Sequence, residues 1–368
     1  MNQSSTETIW VGLDVHESSI TAAVLGDREA SPLVRRLPAD INAVRRFFRT
    51  LSQRGVPRAC YEASGAGFVL QRRLTDDGFS CEVIAPSLIP RKPGERRKTD
   101  RLDAIALVRH YRSGELTPVA IPDAHQEAVR QLLRTRYSAQ SQIADLKRRL
   151  VGVMACQGHH FTAGGSHWTQ KHRAWLDQLR KQLSGPLQTV LAIGLEQLEY
   201  LETQQRALDA EIERLAACPP WRAGAEALRC FRGIQTLTAM TLLTEIGDIH
   251  RFRSPRGLMA YTGLVPTEHS SGNRQQRGSI SKSGNAHLRR VLVESAWHYH
   301  HRSGAHLILE RRRLGQNPEV VAIAVKAQHR LQKRFWRLRQ VKHNNQAVTA
   351  VARELCGFVW AALMAVDR

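Results

Sequence analysis

Short apolar runs and amphipathic stretches alternate over the first third of the chain. Runs of β character predict strands near residues 9–15, 19–25, 32–37, 58–62 and 81–85. Asp40 is placed to cap a helix through Val44, Phe47 and Leu51. A second helix is predicted over about 67–77, and a third begins near Asp100. This order predicts an α/β layer fold with helices packed on a mixed sheet.

The middle of the chain, residues 123–217, is predicted to be mostly helical. Leucine and isoleucine recur there at helical spacing, and the stripe is interrupted at Gly164–Gly165 and at Gly185–Pro186. A narrow apolar seam on long helices indicates a hairpin or coiled-coil arm that self-associates. The same pattern is typical of a helical bundle within one subunit, and the sequence leaves both interpretations open.

The chain after Pro219–Pro220 is helical and increasingly basic. Two short apolar segments around Gly233 are similar to a helix-hairpin-helix, which presents backbone amides to DNA phosphates. Farther along, Phe335 and Trp336 lie among lysines and arginines, where they either stack on RNA bases or belong to the core. We therefore predict an α/β domain at 1–120, a helical arm at 121–217 and an all-α domain at 218–368.

Four carboxylates in the first third interrupt the apolar pattern. Asp14 breaks a buried strand and Glu62 ends another, while Asp100 and Asp103 share one face of the third helix because they are three residues apart. Such carboxylates suit a divalent-metal site for phosphate chemistry, since Mg²⁺ prefers their oxygens. Taken singly, each could instead be a helix cap or a solvated strand end. Asp14 is the exception, because burying it without a partner would be costly.

A second polar segment carries adjacent serines, Ser270 and Ser271, before Gly272. A serine beside glycine can present its hydroxyl openly, and nearby cations can stabilise charge that develops on a phosphate. Nucleophile and flexible surface loop are equally good interpretations of the segment itself. The candidate nucleic-acid contacts are Arg91, Lys92, Arg96, Arg97 and Lys98 beside the acids, and Arg274, Arg277, Lys282, Arg289 and Arg290 beside the serines.

The net charge of +21, from 54 Lys+Arg against 33 Asp+Glu, predicts a polyanionic partner, most simply nucleic acid. No apolar run approaches the roughly 20 residues that span a bilayer, so we expect no membrane association. The six cysteines are scattered and form no Cys-x-x-Cys pair, which argues against a zinc ribbon or a disulfide framework. These features favour a cytoplasmic, nucleoid-associated protein.

The acids, the intervening helices, the segment Tyr261–Pro266 and the motif Ile280–Asn285 together resemble the DEDD transposases of bacterial insertion sequences, the IS110 family. This family is related to the pilin-gene-inverting recombinases. The resemblance covers about residues 8–310, and its N-terminal half is similar to RuvC-type resolvases of the ribonuclease-H-like fold. It implies DNA strand cleavage and rejoining.

By position, the resemblance puts the metal-binding tetrad on Asp14, Glu62, Asp100 and Asp103, and the nucleophile on Ser271, with Ser270 as the alternative. It further implies Mg²⁺ without ATP, a structured bridge RNA that pairs with donor and target DNA, and a homotetramer. Two rival hypotheses are a RuvC-like nuclease that uses metal-activated water, and a non-catalytic protein that bridges DNA or RNA.

Overall fold

The computed structural model describes residues 7–63, 65–90, 99–268, 276–301 and 307–366, and, for Arg277, the backbone alone. Two compact units divide between Pro122 and Asp123. The first corresponds to the α/β region. The second contains both the predicted arm and the C-terminal helices, so the three-domain division stays a prediction.

The first unit is built on a five-stranded mixed sheet. Its strands are β1 Thr8–Val15, β2 Ser19–Gly26, β3 Leu33–Pro38, β4 Val56–Glu62 and β5 Ser80–Ile84. The spatial order is β3-β2-β1-β4-β5, with β1, β4 and β5 parallel to one another and β2 antiparallel to its neighbours β1 and β3. All five predicted strands are present to within two residues. The apolar runs of β1, β2, β4 and β5 are largely buried, whereas β3 has no buried residue.

Helices cover both faces of this sheet. They are α1 Ile41–Ser52, α2 Val69–Asp76 and α3 Asp100–Arg112. The carboxylate of Asp40 caps α1, as predicted, by accepting from the backbone N–H of Ala43. The buried side chains of α1 and α2 pack with Ile9, Val11 and Leu13 of β1 in one core. Successive strand residues point to opposite faces, so Gly12 and Asp14 of β1 face α3 instead.

The second unit begins with three helices, of which the first and the third form a helical hairpin. These helices are α4 Ala124–Cys156, α5 Gln170–Gln182 and α6 Gly185–Ala216. Contacts between α4 and α6 run in opposite directions along the two helices: Arg136 pairs with Asp209, and Lys147 with Glu202. A distal core at the far end of the hairpin buries Leu150, Leu176 and Leu191. The near end, including Val129, joins the core of the C-terminal helices.

The rest of the second unit is mainly helical. Its helices are α7 Arg222–Arg229, α8 Thr236–Ile246, α9 Pro255–Tyr261, α10 Ala286–Trp297, α11 Leu307–Arg313, α12 Pro318–Arg339 and α13 Asn344–Val366, with a hairpin of β6 Pro266–Glu268 and β7 Arg277–Ile280. By length and hydropathy alone α13 could cross a membrane, but its buried face belongs to this unit's core. Phe335 is also core, whereas Trp336 is 42% exposed, and stacking of Trp336 on RNA bases stays a prediction.

Candidate functional site

The carboxyl ends of β1 and β4 bring two of the predicted acids to the same edge of the sheet. These strands are parallel, with Leu13 opposite Tyr61, so Asp14 and Glu62 each follow by one residue. Cys60 packs with Leu107 of α3, and the two-residue alternation of a strand turns Glu62 to that same side. Both acids therefore face α3 at the strand ends.

The first turn of α3 supplies the other two acids. Thr99 caps the helix by accepting from the backbone N–H of Leu102, and this fixes where the helix begins. Asp100 and Asp103 then lie in its first turn. The helix approaches β1 closely at Gly12, where an added Cβ would lie 2.6 Å from the carbonyl oxygen of Ala104. Only a residue without a side chain permits this approach.

His16, which no sequence pattern indicated as a site residue, joins the two elements. Nε2 of His16 lies 3.1 Å from Oδ2 of Asp14 and 3.5 Å from Oδ1 of Asp100. His16 belongs to the turn between β1 and β2, whose backbone closes through its N–H to the carbonyl of Ser19. One imidazole thus lies between two carboxylates from separate elements.

The electrostatics of Asp14 favour a bound cation. Burial, the largest effect, raises the pKa of this carboxyl, and the negative charges of Asp100 and Asp103 raise it further. The contact with His16 lowers the pKa and so opposes both effects. An aspartate that is only 19% exposed beside two other carboxylates is costly unless positive charge compensates it.

Ligand atoms of Asp14, His16 and Asp100 lie within 4.8 Å of one another and could hold a metal ion. Asp103 is near enough to act on the pKa of Asp14, while Glu62 lies outside this group of three at the adjacent strand end. The roles of the four acids stay predictions. The basic segment of Arg91, Lys92, Arg96, Arg97 and Lys98 lies outside the described residues.

The predicted serines belong to the connection between β6 and β7. Ser270, Ser271 and Arg274 lie outside the described residues, but both flanks of the connection are described. On the far flank, the backbone N–H of Lys282 donates to the carbonyl of Gly263, and that of Asn285 to the carbonyl of Tyr261. Two chain segments on either side of the hairpin are therefore tied backbone to backbone.

Comparisons with known proteins bear on this combination of acids and hairpin. Residues 11–156 match the DEDD transposase family of IS110, and residues 225–308 match the transposase family IS116/IS110/IS902. The protein y4qE of Sinorhizobium fredii, named as a transposase, is 40% identical over 311 residues, 82% of this chain and 74% of the relative. This chain belongs to the IS110 family of DEDD transposases.

A second relative supports the same membership over more of both chains. The transposase for insertion sequence element IS1533 of Leptospira borgpetersenii is 30% identical over 331 residues, 89% of this chain and 95% of the relative. The family resemblance and the prediction of a DNA transposase are thereby confirmed.

In this transposase, a buried ion network supports the segment that follows the β6–β7 hairpin. Glu245 of α8 is 3% exposed and accepts from Arg134 of α4 at 2.8 and 3.0 Å. It also accepts from Nδ2 of Asn285 at 2.7 Å, while the side-chain oxygen of Asn285 caps α10. Burial acts to raise the pKa of Glu245, but the hydrogen bonds from Arg134 and Asn285 outweigh it and lower the pKa.

Other predicted nucleic-acid contacts of the transposase have intramolecular partners. Arg289 donates to the carbonyl of Thr262 at 2.9 Å, and Arg290 pairs with Glu294 while its guanidinium lies 4.0 Å from the ring centre of Tyr137. Lys282 adopts a left-handed backbone conformation, with φ of 55°, that side chains rarely take. The side chain of Arg277 is not described, so DNA or RNA contacts at these positions stay predictions.

Proposed function

We propose that the first unit is a ribonuclease-H-like, RuvC-type catalytic domain that acts on DNA phosphodiesters. The strand order β3-β2-β1-β4-β5, with β2 antiparallel to its neighbours, supports this fold. The observation that carries the proposal is the approach of Asp14 and Asp100 from separate elements on the α3 side of the sheet, in a chain of the DEDD transposase family.

Asp14, Asp100 and Asp103, with Glu62 from the next strand, would hold Mg²⁺. The donor set fits a hard cation, because a partly buried carboxylate lies beside other carboxylates and its pKa is raised. When bound, Mg²⁺ supplies Lewis-acid stabilisation of charge on the phosphate. The acids fix where a phosphate can lie relative to the sheet. Nε2 of His16 lies 3.1 Å from a carboxylate oxygen of Asp14 and 3.5 Å from one of Asp100 in the present arrangement.

Ser271 is the proposed nucleophile, with Ser270 as the alternative. Its hydroxyl oxygen attacks the phosphorus, loses its proton, and displaces the 3′ oxygen of one strand as a hydroxyl. The 3′-hydroxyl of the partner strand then attacks the phosphoserine and releases the serine. One ester is exchanged for another at each step, so rejoining requires no ATP.

A DNA substrate that traps cleaved intermediates tests this assignment. Wild type should form a covalent protein–DNA adduct, and Ser271→Ala should abolish the adduct while Ser270→Ala retains it. Reversed behaviour of the two variants would move the nucleophile to Ser270. Nicking that survives both substitutions would instead identify a hydrolytic nuclease that uses water. Undiminished function of Asp14→Asn would make the acids structural and the chain a bridging protein.

We further propose that a structured bridge RNA directs donor and target DNA to a nucleoid-associated homotetramer. The net charge of +21 supports a polyanionic partner, and exposed apolar residues on α6 support self-association. RNA sequencing of the purified complex tests the first part. Recovery of one transcript that adjoins the gene is the expected result, and recovery of bulk cellular RNA would contradict a dedicated guide.

A further inference from the structure

A cationic cleft lies in the second unit and is formed by segments outside the β6–β7 hairpin. It has a volume of about 750 Å³ and is formed by the turn between α7 and α8, the segment after α10, and α11. Arg229, Arg232 and Arg312 line it together with His298 and His301. Glu213 is the single acidic residue among its lining residues in the described part of the chain.

Two arginines of this cleft, Arg229 and Arg312, are half-buried. The Nε atoms of Arg229 and Arg312 are both buried without a hydrogen-bond partner. Burial lowers the pKa of Arg312, and the positive charge of Arg229 lowers it further. Within the described residues no carboxylate pairs with either guanidinium. Like charges crowded without compensation destabilise the fold, so a ligand of opposite charge explains their presence better than packing does.

Arg312 is already held in position for such a ligand. It donates to the carbonyl oxygen of Ile234 at 2.8 Å, which fixes one of its terminal nitrogens. A smaller cleft of about 370 Å³ adjoins and shares Arg229 and Arg312. Glu226, which lines that second cleft, pairs with Arg222 at 3.0 Å. The guanidinium groups thus border a continuous anion-attracting surface.

Another part of the cleft is apolar and aromatic. Ile308 is exposed and Leu309 is buried, and the rings of His298 and His301 line the same space. A phosphate would occupy only the arginine side. A nucleotide carries both a phosphate and a flat base, and the volume of the cleft falls within the range for pockets that enclose molecules of this size. A duplex keeps its bases stacked inside and could offer phosphates alone.

We propose that this cleft binds one unpaired nucleotide and its phosphate within a single strand of nucleic acid. The arginines contact the phosphate, and the histidines with Ile308 contact the base. The choice of nucleic acid as the polyanion rests on the proposed function, but binding here requires neither the acids of the first unit nor the serines. DNA and RNA share this chemistry.

Binding to full-length protein carrying Asp14→Asn, in the presence of a metal chelator, tests the proposal apart from catalysis. The probes are fluorescent single-stranded RNA and DNA of about ten nucleotides and a duplex of equal length. Arg229→Gln should weaken single-strand binding about tenfold at low salt and reduce the logarithmic salt slope by about 0.7. Arg229→Lys should retain most of the affinity, and whichever strand is affected more identifies the source.

A stability measurement separates ligand binding from a structural role. Because Arg229→Gln relieves repulsion of Arg312, its melting temperature should equal or exceed that of the parent. Arg148→Gln, on an exposed side of α4, is the matched control and should leave single-strand affinity unchanged. A lowered melting temperature with unchanged affinity would overturn the proposal, as would equal losses in the control.

Crosslinking locates the bound base. Strands that contain 4-thiouridine or 4-thiothymidine should crosslink to residues 297–301 or 307–312, and Arg229→Gln should remove these crosslinks. Crosslinks confined to other segments would overturn the assignment. Displacement of the strand by inorganic pyrophosphate supports a phosphate contact, whereas pyrophosphate binding in the cleft without competition against the strand would show an anion site that takes no nucleotide.

Discussion

Asp14 combines three features that a structural aspartate would not need. It is mostly buried, its pKa is raised, and its nearest charged neighbours include two more acids. An asparagine would pack in the same volume without the cost of a buried charge. Asp27, which directly follows β2, behaves differently. It accepts from Nε1 of Trp10 and from the backbone N–H of Thr8 at the start of β1, and these bonds lower its pKa.

We expect Asp14→Asn to reduce DNA strand cleavage at least about a hundredfold without lowering the melting temperature. Removing the charge abolishes the proposed metal ligand but relieves repulsion by Asp100 and Asp103. Cleavage of a labelled DNA substrate and thermal unfolding measure the two effects. Asp27→Asn is the control, and it should lower the melting temperature while leaving cleavage unchanged. A fall in stability with full activity for Asp14→Asn would contradict the proposed metal role.

His16 shows why part of the candidate site could not be predicted from the sequence. Acids at strand ends and at a helix start are visible as interruptions of an apolar pattern, so Asp14 and Asp100 could be identified. A single histidine in a polar turn carries no such signal. Its position depends on the β1–β2 register, which places Asp14 opposite Thr21 and turns the imidazole toward both carboxylates.

At the scale of elements, the pattern of apolar positions predicted the five strands and the three α-helices of the first unit. Ion pairs between residues distant in sequence could not be predicted in this way. Glu245 lies in the apolar helix α8, and its partner Arg134 is 111 residues away. Local pattern cannot indicate that a buried acid will meet two arginines from α4, so this network was found only in the structure.

The contact of α3 with β1 gives a prediction about a single methyl group. Gly12→Ala would place a Cβ 2.6 Å from the backbone of both Ala104 and Val108, and the helix would have to move. We expect a loss of about 1–3 kcal/mol in the free energy of unfolding, together with reduced cleavage because α3 carries Asp100.

Gly152→Ala provides the matched control for this substitution. Gly152 lies within α4, and its added Cβ would meet nothing within 4 Å. Alanine there should stabilise the protein by up to about 1 kcal/mol, since glycine is a poor helix former. Chemical denaturation of both variants measures the difference. Equal effects of the two substitutions would show that α3 does not depend on the close approach.

The Glu245 network predicts a large loss of stability from a small chemical change. Glu245→Gln would leave the charges of Arg130 and Arg134 uncompensated and should lower the free energy of unfolding by about 3 kcal/mol. Glu226→Gln is the control, because its pair with Arg222 is exposed and should contribute less than about 1 kcal/mol.

The same network gives a pH dependence. The pKa of Glu245 is lower in the folded state than its usual value of 4.5, so the unfolded state binds its proton first. Its stabilisation is complete above the unfolded pKa and is lost as the pH falls through the folded pKa. The stability difference between wild type and Glu245→Gln should therefore shrink below about pH 4.5. A difference that stays constant down to pH 3 would contradict this assignment.

At the scale of the whole molecule, the helical hairpin has two separate cores. Its near end shares the core of the C-terminal helices, whereas its far end has a core of its own. The contacts between α4 and α6 are made within one chain. They form the hairpin that the leucine stripe indicated. The stripe could not distinguish these contacts from contacts between subunits, because both bury the same periodic positions.

The proposed self-association would instead depend on residues that the intramolecular contacts leave exposed. Val190, Ile193 and Tyr200 of α6 are 47%, 59% and 63% exposed. With 100° of rotation per residue they lie within about 80° of one another on one face. Exposed apolar residues that recur on one helix face are typical of helix pairing between subunits.

We therefore expect Ile193→Glu combined with Tyr200→Glu to convert the proposed tetramer to smaller species. Each carboxylate would have to be buried against apolar surface of a second copy, which is unfavourable without a partner charge. Light scattering after size exclusion measures the assembly, and circular dichroism should show unchanged helix content. Gln188→Glu lies on the same helix about 140° around from Ile193 and should leave the assembly intact. A tetramer that persists in the double variant would exclude this face from the interface.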